Sequence, residues 1–216
     1  MQTVEQKSRA RIRDAALKQF AAHGYKGATI RQIAQEAGVS PGRVQHHFPS
    51  KQALRQECDE YVLTFMRIAI VQGVEGSAAT DAAFVAEAYG NLALLVPYLA
   101  MALVTDAPTA ARWFDELAEL YRDVLTGGQL GVALPKDEDV EAIVAVYTAM
   151  ELGLAILTRH VYRRLGADER DPLATARIGR ARLFLATERL MGAELEADVR
   201  SGLDQYQRSA RGRRPR

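Results

Sequence analysis

Two short helices separated by a tight turn are the feature that most constrains what this chain can fold into. Thr29 and Gln32 have the spacing of a capping box, which opens a helix that Gly38 ends. Ser40 suits the N-cap of the next helix, and Pro41 suits its first position, where a missing N–H is harmless. Two helices joined by a glycine-containing turn of about three to four residues form a helix-turn-helix, whose second helix enters the major groove of DNA.

The second helix of this pair has a polar face turned away from a small core. Val44 and Phe48 lie one helical turn apart and are expected to face that core. Arg43 suits a bidentate hydrogen bond to guanine, and Gln45 suits adenine. The side chains left on the outer face are those of Gly42, Arg43, Gln45 and His46.

The charge of the first 55 residues and the residues at two of their helix starts both suit binding to the phosphate backbone of DNA. Residues 1–55 contain ten Lys/Arg and three Asp/Glu, residues 56–204 contain 13 and 24, and the tail from Gln205 adds five arginines and no acid. A basic head on an acidic body is expected if only the head meets a polyanion, although charge alone would also suit an anionic membrane or arise by chance. Thr29 and Lys51 each open a helix, where a hydroxyl or ammonium group and free backbone N–H groups converge on one anion.

Apolar stripes of helical period recur along the whole chain, and no run of alternating residues indicates a strand. We therefore predict an all-α fold of about nine helices, near 7–23, 30–37, 41–48, 51–74, 81–95, 97–105, 109–125, 137–165 and 172–195. The predicted domains are a DNA-binding domain over residues 1–50, with its helix-turn-helix at about 29–48, and an effector-binding and dimerisation domain over 51–204. Residues 205–216 are expected to be a basic, disordered tail.

Three segments of the head carry a family resemblance. Thr29-Ile-Arg-Gln-Ile-Ala, Gly38-Val-Ser and His47-Phe-Pro-Ser-Lys51-Gln-Ala-Leu54 resemble the signature of the TetR family of repressors, over about residues 9–55. The resemblance implies that the second and third helices touch bases. Gln45 departs from the family pattern, since the family usually has a tyrosine at this position that reaches a phosphate. In this chain that contact is therefore lost, shortened or replaced by a contact to a base. The predicted DNA-contacting residues are Thr29, Arg31, Ser40, Gly42, Arg43, Gln45, His46, His47 and Lys51.

The helix expected at 137–165 has apolar residues that alternate by three and four positions, which is typical of a helix that packs along another helix. That partner is either internal or a second subunit. The resemblance implies that the last two helices of each subunit form a four-helix bundle across a two-fold axis, and two heads about 34–36 Å apart contact more bases than one. We therefore expect a homodimer on a palindromic operator. The predicted interface includes Leu154, Leu157, Val161, Ile178 and Leu185.

The body is richer in large aromatic and methionine side chains than a minimal helical bundle requires. Any one of them is most simply a core residue, since aromatic stripes at helical spacing are normally buried. As a set they permit a pocket for a small, largely apolar effector. The predicted pocket residues are Tyr61, Phe65, Phe84, Tyr89, Met101, Trp113, Tyr121, Tyr147 and Met150.

Little in the sequence favours a metal centre, a cofactor or a redox site. The single cysteine, Cys58, lies on an apolar stripe, which favours a buried, inert thiol. His46 and His47 point about 100° apart on one helix, without a carboxylate at ligand spacing. Residues 1–10 lack the apolar region of a signal peptide, and no stretch approaches the ~18–20 uncharged apolar residues of a membrane span. We therefore expect a cytoplasmic protein with no cofactor and no membrane partner.

These features predict a one-component transcription regulator, not an enzyme. In the expected mechanism, effector binding to the body favours a spacing of the two heads that no longer matches successive major grooves. The alternative is an effector-independent or architectural DNA-binding protein with little sequence preference. A helical enzyme with an auxiliary DNA-binding head is disfavoured, since no nucleophile elbow, P-loop or dinucleotide fingerprint occurs in the sequence.

Overall fold

The computed structural model of the chain is all-helical, as expected, over the residues that it describes, 4–74, 82–105, 107–127, 139–168, 171–186 and 201. Eight helices lie in these ranges: α1 (Val4–Gly27), α2 (Ile30–Glu36), α3 (Pro41–His47), α4 (Lys51–Val74), α5 (Ala82–Thr105), α6 (Ala107–Thr126), α7 (Val140–Leu165) and α8 (Pro172–Ala186). The predicted helix-turn-helix and α4 are confirmed to within a residue at each end. The predicted tail lies outside the described residues.

The regular part of α1 ends at Gly24, the residue expected to end it. Gly24 has φ 68° and ψ 170°, a positive φ that is strained for any residue with a side chain. One more helical turn follows, to Gly27. The break therefore follows from the conformational freedom of glycine, while the apolar stripe of α1, with Ile12, Ala16 and Phe20, is buried as predicted.

The predicted helix break before Pro97 is wrong, because α5 continues through this proline as one helix. A proline inside a helix removes one N–H and crowds the carbonyl four residues earlier. That carbonyl belongs to Ala93, which is exposed, so water can bond to it in place of the missing N–H. The burial of Leu95, Tyr98 and Leu99 on either side of Pro97 holds the two halves in one helix.

Contacts divide the chain into two compact units, residues 1–169 and residues 170–216. In the first unit, α1 packs against α2, α4 and α5, and α7 packs against α5 and α6. One continuous apolar core joins these helices, and it includes Phe20, Leu54 and Trp113. The helix-turn-helix therefore shares a core with the helices that follow it, and the predicted boundary after residue 50 stays a prediction.

One of the described helices, α7, is long and apolar enough to cross a membrane by length and composition alone. It is the exception to the expectation that no stretch approaches a membrane span, although Glu141 and Glu151 interrupt its apolar sequence. Core helices of soluble proteins meet the same criterion. In this chain α7 packs against α5 and α6 and buries Val144, Thr148 and Leu152.

Cys58 is buried in α4, with its Sγ 3.8 Å from the carbonyl oxygen of Arg13, as predicted for an inert thiol. Burial raises the pKa of this thiol, and the neighbouring carboxylate of Asp59 raises it further. Because the thiolate is the reactive form, we expect a disulfide reagent to label the folded protein far more slowly than the urea-unfolded protein. Absorbance of the released thiol at pH 8 measures both rates. Equal rates would contradict a buried, protonated Cys58.

Candidate nucleic-acid interface

The fold presents α3 as a short, capped helix with one buried side. The Ser40 hydroxyl accepts a hydrogen bond of 3.2 Å from the backbone N–H of Arg43, and Pro41 occupies the first turn. Val44 and Phe48 are buried in the core. The outer side therefore carries the predicted side chains, and Gly42, Arg43, Gln45 and His46 are all exposed.

Arg9 of α1 holds the end of α3 in place. Its guanidinium donates to the carbonyl oxygen of His47 at 3.1 Å and to the carboxylate of Glu57 in α4 at 2.6 Å. It also lies 4.4 Å from the centre of the Phe48 ring. This one side chain thus joins α1, α3 and α4, which fixes the direction in which the outer face of α3 points.

Two arginines on the helix-turn-helix are left available to a ligand. The side chains of Arg31 and Arg43 are exposed and make no hydrogen bond or ion pair with any residue that the structure describes. By contrast, Arg13 pairs with Asp14, and Lys18 pairs with Glu36. A cation without an internal partner can bind an anion or a base edge without first breaking a bond.

The two adjacent histidines have different surroundings. His46 is 63% exposed, and its Nε2 lies 3.6 Å from the carboxylate of Glu5. His47 is half-buried, with its Nε2 3.2 Å from the hydroxyl of Ser8. Partial burial lowers the pKa of His47, and the nearby positive charge of Arg43 lowers it further. His46 therefore lies on the outer face, whereas the imidazole of His47 contacts α1.

The residues predicted to contact phosphates are both engaged within the protein. Thr29 forms the predicted capping box, since its hydroxyl donates to the side chain of Gln32 at 2.7 Å and accepts from the backbone N–H of Gln32 at 3.2 Å. The Nζ of Lys51 lies 3.5 Å from the carbonyl oxygen of Lys26 and 4.6 Å from the centre of the Tyr25 ring. Partial burial lowers the pKa of Lys51, because desolvation disfavours the charged ammonium group.

Two further cations on α1 were not among the predicted DNA-contacting residues. Lys7 and Arg11 are exposed. They lie near the end of α1 at which Glu5 and Ser8 contact the histidines of α3. The available signal was the excess of basic residues in the head, which does not say which cations lie beside α3.

The predicted pocket residues fall into three groups. Trp113 and Tyr121 are buried, while Tyr61, Phe65, Met101 and Tyr147 are half-buried in the same core cluster. Met150 is 60% exposed, so α7 does not turn it toward the core. The side chains of Phe84 and Tyr89 lie outside the described residues. The indole N–H of Trp113 is a buried donor without an acceptor among the described residues.

Of the predicted dimer residues that lie on α7, Leu157 is on its most exposed face, whereas Leu154 and Val161 are not. Leu154, Val161 and Ile178 are half-buried, while Leu157 and Leu185 are exposed. The exposed face of α7 is an apolar stripe whose positions recur at helical spacing, three, four or seven residues apart, which we term the α7 stripe. It consists of Ala145, Val146, Ala149, Met150, Ile156 and Leu157. The sequence already indicated such a stripe, since α7 has apolar residues on more than one side.

The helix-turn-helix region is similar in sequence to known bacterial regulators. Residues 12–58 match the family model described as bacterial regulatory proteins, tetR family, and this range holds every predicted DNA-contacting residue. The transcriptional regulatory protein RaaS of Mycobacterium tuberculosis is 46% identical over 67 residues, which is 31% of this chain and 31% of RaaS. The transcriptional regulator UidR of Escherichia coli is 34% identical over 106 residues, 46% of this chain and 54% of UidR. The chain thus matches from about a third to about half of the length of these curated relatives.

The fold of a solved regulator extends the similarity beyond the head. The fatty acid degradation regulator FadR from Bacillus halodurans superposes with a TM-score of 0.61 at 18% identity, over 89% of this chain and 100% of that chain. At this identity the likeness concerns the fold alone. It is consistent with a helical body that follows a helix-turn-helix head in a single chain.

Proposed function

Because residues 12–58 of the chain match the TetR family, we propose that it is a cytoplasmic transcription regulator that represses from a palindromic operator. It binds that operator as a homodimer and is released by a small, largely apolar effector. DNA-binding regulation is what its named relatives share. The proposal includes no catalytic role.

The observation that carries the proposal is the outer face of α3. The side chain of Arg43 is exposed and has no hydrogen bond or ion pair with any described residue, while the end of α3 is held by Arg9. Successive residues of a helix are about 100° apart, so Arg43 and Gln45 lie on opposite flanks of His46. Arg43 on one flank suits a contact to guanine, and Gln45 on the other flank suits a contact to adenine.

The α7 stripe supports the homodimer. The stripe is a row of apolar and small side chains that are exposed to water along a long helix. A second helix packed on this row would cover it. Its small members, Ala145 and Ala149, allow close approach of a partner helix. A second copy of the chain also provides the second head that a palindromic operator needs.

Trp113 supports an effector with a hydrogen-bond acceptor. Its indole N–H is buried without an acceptor among the described residues, and an unsatisfied buried donor is destabilising by about 1–3 kcal/mol. The ring of Tyr98 lies 6.1 Å away, centre to centre, so the indole has an aromatic neighbour in the core. A small apolar molecule with a carbonyl or carboxylate oxygen fits this combination.

Operator selection tests the proposed function. The purified protein is incubated with random duplex DNA at near-physiological salt, and the bound fraction is recovered and sequenced. We expect a palindrome with half-site centres about 10 base pairs apart or a multiple of that distance. Salt-dependent binding without enrichment would instead favour the architectural DNA-binding protein.

Binding of an effector is expected to shift the fluorescence of Trp113, the single tryptophan of the chain. Small apolar molecules with an oxygen acceptor are titrated, and emission is recorded together with the melting temperature. A true effector must also bind more weakly to the operator-bound protein, since the coupling is reciprocal. Trp113→Phe is the control, because it removes the fluorescence and the N–H together. A ligand that weakens operator binding but leaves Trp113 emission unchanged would place the pocket elsewhere.

A further inference from the structure

The ring of Tyr25 lies against two cations of α4. The Nζ of Lys51 is 4.6 Å from the ring centre, and the guanidinium carbon of Arg55 is 4.9 Å from it. Lys51 and Arg55 are four residues apart, so they lie on the same side of α4, where two like charges repel each other. The aromatic face offsets this repulsion, because its negative quadrupole attracts both cations.

This arrangement holds the ammonium group of Lys51 at the start of α4. Besides the ring, Nζ lies 3.5 Å from the carbonyl oxygen of Lys26. Tyr25 is itself positioned by the core, since its ring is 5.8 Å from that of Phe20, centre to centre. A long, flexible lysine side chain is thereby restrained before any phosphate arrives, which lowers the entropy lost when it binds one.

Arg55 connects the same ring to the body. It donates a hydrogen bond of 3.1 Å to the hydroxyl of Thr109 in α6, and its Nε lies 3.8 Å from the carboxylate of Asp59. Arg112 of α6 also lies 3.8 Å from that carboxylate. The Tyr98 hydroxyl of α5 donates to Asp59 at 2.6 Å, and burial raises the pKa of Tyr98, which keeps this hydroxyl protonated.

We infer that Tyr25 and Arg55 are positioning residues for the phosphate contact of Lys51, with Arg55 linking that contact to α5 and α6 through Asp59. The inference rests on the proposed function, because it assumes that the head binds DNA. A shift of α6 that moved Thr109 would draw Arg55 from the ring and change the place of Lys51. Arg55 thus connects the body to the DNA-contacting surface of the head through direct contacts.

The test is a double-mutant cycle on operator affinity. Tyr25→Leu removes the aromatic face, and Tyr25→Phe is the matched control that keeps the face and removes only the hydroxyl. Each is made alone and with Lys51→Ala. We expect Tyr25→Leu to weaken binding by about two- to fivefold per half-site, Tyr25→Phe to leave it unchanged, and Tyr25→Leu to add nothing once Lys51 is alanine.

The dependence of affinity on salt separates positioning from a structural role. Loss of one phosphate contact lowers the slope of log K against log salt concentration by about one, so Tyr25→Leu should lower it as Lys51→Ala does. Arg55→Gln is expected to lower the slope in the same direction. A slope that stays at the wild-type value, or full additivity with Lys51→Ala, would overturn the inference.

Failure of the inference is distinguishable from failure of the proposed function. A wild-type protein that binds no duplex DNA contradicts both. A wild type that binds the operator and is weakened by Lys51→Ala, but not by Tyr25→Leu or Arg55→Gln, overturns the positioning alone. Circular dichroism and the melting temperature of each variant confirm that the compared proteins are folded.

Discussion

Replacing Arg43 by alanine is expected to weaken binding to the selected operator by about 10- to 100-fold per half-site, because a bidentate contact to guanine contributes about 1–3 kcal/mol. The Arg43 side chain is exposed and makes no hydrogen bond or ion pair with any described residue, and it is the backbone N–H of Arg43 that the cap of α3 uses. The substitution should therefore leave the melting temperature almost unchanged. Fluorescence anisotropy with a labelled operator measures the affinity, and a repeated selection shows whether one position has lost its preference.

Two controls separate base reading from simple charge loss. Arg43→Lys keeps the charge but removes the planar fork, so it should lose much of the preference while retaining most nonspecific binding. Arg67→Ala removes one exposed cation from α4 of the body, where it pairs with Glu116, and should change the affinity little. A uniform loss for Arg43→Ala across all sequences, with an unchanged preference, would mean that Arg43 contacts a phosphate instead.

Replacing Leu157 by glutamate is expected to convert the dimer into monomers and to weaken operator binding by at least about 100-fold. Leu157 is 54% exposed within one chain, so a carboxylate there remains hydrated in the monomer. In a dimer built on the α7 stripe, two copies of the charge would enter an apolar interface without partners, and that burial is strongly unfavourable. A single head also loses the high effective concentration that the second head provides.

Sedimentation equilibrium measures this change, and Val104→Glu is the matched control. Val104 is another large apolar side chain that is exposed, but it lies near the end of α5. The same chemical change there should leave the mass and the operator affinity unaltered. A Leu157→Glu protein that remains dimeric would show that the partner contacts another surface and would remove the α7 stripe from the proposal.

Local chemistry explains why the helix-turn-helix could be located from the sequence. The capping box of Thr29 and Gln32 and the cap of Ser40 act over three residues, so their consequences are nearly independent of the rest of the fold. The buried position of Val44 follows from helical periodicity in the same way. The face of α3 that carries Arg43 was therefore predictable without a tertiary structure.

Pro97 and α7 show where the same reasoning fails. A proline ends a helix by a local rule, yet α5 continues because burial of its neighbours outweighs one lost hydrogen bond. In α7 the sequence has apolar residues on several sides, and periodicity cannot say which side faces the core. The structure buries Thr148, whose hydroxyl donates to the carbonyl of Val144 at 2.8 Å, and exposes Met150.

The sequence by itself determined the helical fold, the place of α3 and the identity of the side chains on its outer face, because these depend on contacts within a few residues. Only the tertiary structure decided which cations remain available for DNA. Arg9 meets a partner 48 positions away and Arg55 one 54 positions away, whereas Arg43 meets none among the described residues. A charge is available or engaged according to which helices pack beside it, and that packing is a property of the whole core.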